Sequence, residues 1–163
     1  MTLFMFRILS LFAIWFCLSV TSLLGGVVIS EFLASNSGGL ATAEGGHSDW
    51  IELQNEGEAA VALGGYSLTD DPENPLKWTL PAAELAVGDH VVVFASGDDV
   101  SVLEEEWHTN FRLAKSGGYL ALTGPDGLIA SEFADYPAQR PDISYGVTGA
   151  DEVYYDPPTP GAA

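Results

Sequence analysis

Positive charge is what this chain lacks most: five lysines and arginines stand against 23 aspartates and glutamates, a formal charge of −18 over 163 residues. From Val27 onward only Lys77, Arg112, Lys115 and Arg140 remain on the basic side. A surface of that sign repels phosphate backbones, so binding to DNA or RNA loses its largest sequence-independent term. It suits divalent cations, basic partners, or plain solvation outside a cell. Cysteine is scarcer still. Cys17 stands alone in an apolar N-terminal run, and the bulky Phe16 before it argues against a lipoprotein cysteine. The rest of the chain can form no disulfide and use no thiolate, so its core has to carry stability unaided. Three scattered histidines without cysteine make no zinc pattern.

Long apolar runs are also absent, except at the start. "MTLFMFRILSLFAIWFCLSVTSLLGG" has one positive charge, Arg7, then an apolar stretch from Ile8 to Val20, then small residues. That order is the one of a secretory signal peptide, with cleavage after Ser22 or at Gly25-Gly26. The competing reading is an uncleaved anchor, because Leu3 to Leu24 is nearly long enough to span a bilayer. Strand-like sequence begins directly at Val27 without a linker, which favours removal. A leader over 1–26 leaves one domain of ordinary size over 27–163. The chain is then expected to be secreted, periplasmic or at the cell surface, touching a membrane only through an uncleaved leader.

Helical periodicity is the third absence. Short β-branched and aromatic runs are separated instead by Gly, Pro, Asn and Asp clusters, the pattern of an antiparallel β domain. Strands are predicted over 27–35, 49–55, 60–63, 66–70, 77–80, 90–96, 111–114, 119–124, 128–136 and 143–147. In "DWIELQN" the alternation points Ile51 and Leu53 inward and leaves Trp50 out of phase with them. "HVVVFAS" is apolar on both faces, as a central strand would be. "GPDG" (124–127) reads as a turn closing a hairpin over 119–136, and Gly64-Gly65, Gly88-Asp89 and Gly117-Gly118 mark further turns. "VLEEEW" (102–107) is the one place where a helical turn fits. Ile51, Leu53, Leu68, Trp78, Val93, Leu120 and Leu122 are the predicted core. Many short strands at regular spacing indicate a sandwich or barrel.

Taken in order, "SEFLASN" (30–36), "SDWIELQNEG" (48–57), "LGGYSLTDDPENPLKWTLP" (63–81), "GDHVVVFASGDD" (88–99), "HTNFRLAKSGGYLALTGPDG" (108–127) and "PDISYGV…YYDPPTPGAA" (141–163) resemble the lamin tail domain. The likeness is to the version found in secreted and cell-surface bacterial proteins, and it covers nearly all of 27–163. It implies an immunoglobulin-like antiparallel β-sandwich with no catalytic machinery of its own. In nuclear lamins the domain binds proteins and chromatin; in bacteria it resembles an accessory module, often beside hydrolases or spore-coat kinase-like domains. Two features depart from that background. The acidic charge argues against the DNA role, and "DPPTPGAA" resembles the end of the module rather than of a whole protein, which leaves room for a continuation.

Candidate sites are few. His108 would need a nucleophile and an orienting partner to serve as a general base, and no G-x-S-x-G elbow occurs, so capping of its loop is the favoured role. Ser116-Gly117-Gly118 lacks the following helix start that a phosphate loop needs. Asp49 and Glu52 lie three apart on a strand and project to opposite faces, which argues against a glycosidase pair. The acidic loops are the better candidates. Asp70, Asp71, Glu73 and Asn74 share one turn, and Asp98 and Asp99 another, offering the oxygen donors that calcium takes. The competing reading is an Asx-type turn in which Asp70 and Asn74 bond backbone amides before Pro72 and Pro75. Trp50 is the best candidate for an exposed aromatic and hence for a partner or glycan contact, whereas Trp78 belongs in the core.

These readings converge on a non-enzymatic, extracytoplasmic module that binds a protein or cell-surface component, with no cofactor required. A carbohydrate- or calcium-dependent adhesion module is the alternative, and a small hydrolase is disfavoured by the missing nucleophile and base.

Overall fold

The computed structural model describes residues 26–102 and 104–162. The leader reading over 1–26, Cys17 included, lies almost wholly outside them. Among the described residues the chain forms eleven strands and no helix. They are β1 (Val27–Leu33), β2 (Trp50–Asn55), β3 (Val61–Ala62), β4 (Ser67–Thr69), β5 (Trp78–Thr79), β6 (Glu84–Leu85), β7 (His90–Phe94), β8 (Gly118–Thr123), β9 (Ile129–Tyr136), β10 (Ser144–Thr148) and β11 (Asp151–Tyr155). A five-stranded sheet runs β11-β10-β1-β2-β7, a four-stranded sheet β5-β4-β8-β9, and β3 pairs with β6. Every pairing between these strands is antiparallel.

The core between the two larger sheets contains all seven residues expected there. Phe32 is its hub, packing edge-on against Phe133 at 5.0 Å and Tyr136 at 4.9 Å. Such edge contacts place the positive ring edge on a negative ring face, adding to the gain from burial. Phe32 reaches this position because β1 slips. Its register on β2 shifts between Ile29 and Glu31, leaving Ser30 as an extra residue. The bulge reverses the inward phase, so Val27 and Ile29 before it and Phe32 after it all enter the core. Gly146 of β10 sits opposite the bulge: a Cβ there would lie 2.9 Å from the Glu31 Cα, so only glycine lets the strands close.

The predicted hairpin forms as β8 and β9, its turn closed by the Gly127 N–H on the Gly124 carbonyl at 3.0 Å. Gly65, Gly88 and Gly117 adopt positive φ in the turns anticipated for them. Two expectations need correction. β7 is an edge strand, not a central one: β2 is its one strand neighbour, and on the other side Phe94 bonds the Trp107 carbonyl and the Thr109 N–H of a loop. Residues 111–114 form no strand: the Tyr136 hydroxyl bonds both the N–H and the carbonyl of Ala114, occupying groups a ladder would need. Within 102–107 the Glu105 N–H bonds the Val102 carbonyl at 3.2 Å, and the described residues there form no helix. Finally, β6 and β11 were not anticipated.

Candidate interaction surface

Because the two faces of a strand alternate, pointing Ile51, Leu53 and Val93 into the core turns Trp50, Glu52, Val92 and Phe94 to the outer face of the five-stranded sheet. Beyond its bulge, β1 adds Glu31 and Leu33 to that side. This face is covered. Leu33, Trp50 and Phe94 form a second buried cluster with Val92 against it, and Glu31 and Glu52 are 3% and 1% exposed. The cover comes from two segments, the 36–48 loop and the stretch after β11.

Two buried carboxylates need partners, since an unpaired charge in such a place is costly. Glu31 accepts bonds from the Ser144 hydroxyl, from the Thr159 N–H at 2.9 Å and from the Thr159 hydroxyl at 2.6 Å. Glu52 accepts the Ser30 hydroxyl at 2.6 Å and the Gly161 N–H, with His90 Nε2 3.9 Å from it. The stretch through Pro158 and Pro160, which ends in a turn closed by the Ala162 N–H on the Thr159 carbonyl, is thereby fastened across the sheet. Tyr155 stands beside this pair. Burial and then the negative charge of Glu31 push its hydroxyl above the ordinary tyrosine pKa.

The 36–48 loop is tied down by polar contacts. Asn36 donates to the carbonyls of Leu40 at 2.7 Å and Ser48 at 2.8 Å, and accepts the Gly39 N–H. Asp142 accepts the Ser37 N–H, the Ser37 hydroxyl and the Gly38 N–H. Those bonds stabilise its charged form and hold its carboxyl below the usual range. Glu106 takes the Ala43 N–H at 2.8 Å. Three open depressions surround the loop. One, of about 420 Å³, lies between Leu40 and the two prolines, with Leu33 and Trp50 beneath. The second, about 440 Å³, is bounded by Leu40, Val91, Val92, Phe94, Glu106 and Trp107. The third is a cleft of about 880 Å³ that brings Glu44, Asp98, Glu104, Glu105 and Glu106 together with His108.

His108 holds its loop as anticipated. Its backbone bonds reciprocally with Val100, its ring stacks on Phe94 at 5.3 Å, and its Nδ1 lies 2.9 Å from the Ser96 hydroxyl. Folding thus creates a Ser-His grouping that the linear sequence did not suggest. It lacks the geometry of a nucleophile site: Asp98 and Glu106 are each 3.9 Å from a ring nitrogen, and Ser96 is buried, accepting the Asp98 N–H.

Two of the six calcium candidates spend their carboxylates on the protein itself. Asp70 pairs with Lys77 at 2.7 Å, and the Asp71 carboxylate accepts the Glu73 N–H at 3.0 Å. Asp71, rather than Asp70, is therefore the Asx residue, and Asn74 enters the turn through its own N–H on the Asp71 carbonyl. Asp99 takes a positive φ in the second loop, beside Asp98. Among the described residues no three His, Cys, Asp or Glu side chains converge as a metal site. Trp50 is a correction. It is fully buried, its indole covered on the outer face, so it offers no exposed ring. The buried Glu31–Glu52 pair is what the sequence reading missed. Its signal was a glutamate sharing the phase of Trp50, which marks an outer face that is itself covered.

Two packed antiparallel sheets with a shared aromatic core define an immunoglobulin-like β-sandwich. The lamin tail domain model matches residues 21–135, and the chain belongs to that family. The match ends in β9, before β10, β11 and the segment fastened to Glu31 and Glu52. No curated protein matches the chain.

Proposed function

We propose that this domain is a non-catalytic interaction module, exported by its leader, which binds a protein or cell-surface component at the loop end around residues 36–48 and 98–108. The observation that carries the reading is the acidic cleft beside an apolar depression. Carboxylates of Glu104, Glu105 and Glu106 rim a surface in which Leu40, Val92, Phe94 and Trp107 supply the apolar part. A polar rim around an apolar centre is the usual make-up of a recognition patch. Its sign selects a basic or aliphatic partner surface and disfavours nucleic acid. Binding through loops on a rigid sandwich agrees with the family's non-enzymatic character. The glycan alternative loses its aromatic platform with the burial of Trp50.

The test is site-specific photo-crosslinking in the native extracytoplasmic fraction, with N-terminal sequencing of the product to locate leader cleavage. A crosslinker at Ala41 should capture a protein or surface component, and Glu104→Lys with Glu106→Lys should abolish capture. A crosslinker at Pro125, on the β8–β9 hairpin, should capture nothing. Equal capture from both positions, or none from Ala41, would refute the assignment.

A further inference from the structure

The segment after β11 covers the sheet without pairing as a strand. Two buried side-chain carboxylates take its N–H groups instead. The residues alternate to match. Thr159 and Gly161 give their N–H groups, and Thr159 its hydroxyl, to Glu31 and Glu52. Pro158 and Pro160, which have no N–H to satisfy, lie against the apolar depression over Leu33, Trp50 and Leu40. Gly161 also has a φ of +76°, open to glycine and closed to proline. Pro160 and Gly161 are the middle of a turn closed by the Ala162 N–H on the Thr159 carbonyl at 3.0 Å, and proline presets the second turn position with little entropy left to lose, so the segment docks as a pre-shaped ligand.

From this arrangement we infer that the Glu31–Glu52 face is a peptide-recognition site specific for a Pro-Thr-Pro-Gly segment that ends in a turn, filled here by residues 158–161 of the same chain, and that a second copy can fill it with its own segment. The occupant follows from the site's chemistry. Each carboxylate accepts from a spaced N–H, a hydroxyl is read at the Thr position, and the residues without N–H face the apolar side. This chain's own segment meets all of these conditions, and every copy carries both halves. The tether holds that segment near the site at an effective concentration on the order of millimolar, so a second copy competes only when the local one is displaced. The inference is independent of the partner proposed above, because it leaves Glu104, Glu105 and Glu106 untouched.

Complementation of two full-length variants tests it. The first carries Thr159→Val and Gly161→Pro, which remove two donors and the permitted backbone angle, leaving the cleft open. The second carries Glu31→Ala and Glu52→Ala, which remove every acceptor oxygen that holds the segment, leaving it free. Sedimentation should show each variant alone as a monomer and the mixture as a one-to-one heterodimer. A labelled Asp-Pro-Pro-Thr-Pro-Gly-Ala-Ala peptide provides a second arm that stands even if the alanine variant does not fold. It should bind the first variant at least about tenfold more tightly than the unchanged chain, since displacing the local segment raises the competent fraction. The same peptide with Thr→Val and Gly→Pro should not bind. Peptide affinity that is equal for the open variant and the unchanged chain, or indifferent to those peptide changes, overturns the inference. So does a mixture of folded variants that stays monomeric.

Discussion

Trp78 and Gly146 show two opposite ways in which one side chain governs this core. Trp78 is 3% exposed between the sheets, so Trp78→Ala removes a large packed volume. A loss of about 3–5 kcal/mol is expected in denaturant titrations. Gly146→Ala adds one carbon where the Glu31 backbone is 2.9 Å away, and the expected loss is about 1–3 kcal/mol from overpacking. A neutral Gly146→Ala would mean that β10 does not close on the bulge as described. Tyr145 governs the response to alkali. Burial first, and then its bond to Glu152, push its hydroxyl up to about 12 from an ordinary value of 10.0. The folded state therefore keeps its proton over a range in which the unfolded chain has lost it. Stability from this group is complete below pH 10 and is lost as the pH rises towards 12. Stepped-pH denaturation should show that decline, and Tyr145→Phe should flatten it. An identical slope in the variant would remove Tyr145 as the cause.

Among the elements, β1 makes the most consequential move. Its extra residue, Ser30, lets Ile29 and Phe32 share the core while Glu31 faces the segment after β11. Deleting Ser30 would leave Val27, Ile29 and Phe32 on one face of a strict period-two alternation and Glu31 and Leu33 on the other, the same sides they hold now. The deletion is therefore expected to retain cooperative thermal unfolding, as is Ser30→Ala, which keeps the bulge and loses only the bonds to Glu52. Loss of the cooperative transition in the deletion alone would show that the bulge itself, rather than the phase of the strand, is required. The alternation in β2 was legible in "DWIELQN", and so was the β8–β9 hairpin from its turn chemistry. The bulge was not, because the Ser30-Glu31 pair inside "VVISEFLAS" carries no Gly or Pro that would mark a break in pairing. Residues 111–114 misled for a related reason. "FRLA" has strand composition, yet the hydroxyl of Tyr136, over twenty residues away, claims the Ala114 backbone.

For the molecule as a whole, charge sets the surface and bonding decides what that charge is free to do. The formal charge of −18 invites divalent cations. However, Asp70 is paired with Lys77, and Asp71 is committed to its turn. Millimolar calcium is accordingly expected to leave the thermal midpoint where chelator leaves it. A site with calcium at a hundredfold excess over its Kd would add about 2.7 kcal/mol, so a raised midpoint would reinstate the loops at Asp70–Asn74 and Asp98–Asp99 as ligands.

Composition and periodicity determined the all-β class and the seven core residues expected from alternation, while the motifs taken in order carried the family resemblance. Those depend on local patterns: which side chains are apolar, how they alternate, and where Gly and Pro permit turns. The sign of the surface charge was equally legible, being a count. Only the tertiary structure decided which polar residues are buried. Glu31 and Glu52 look like solvent-facing residues in their strands, and Trp50 looks like an exposed ring, until the 36–48 loop and the Pro158–Gly161 stretch cover the outer face. Coverage of that kind comes from segments distant in sequence from the residues they bury. No local pattern in "SEF" or "WIEL" encodes it.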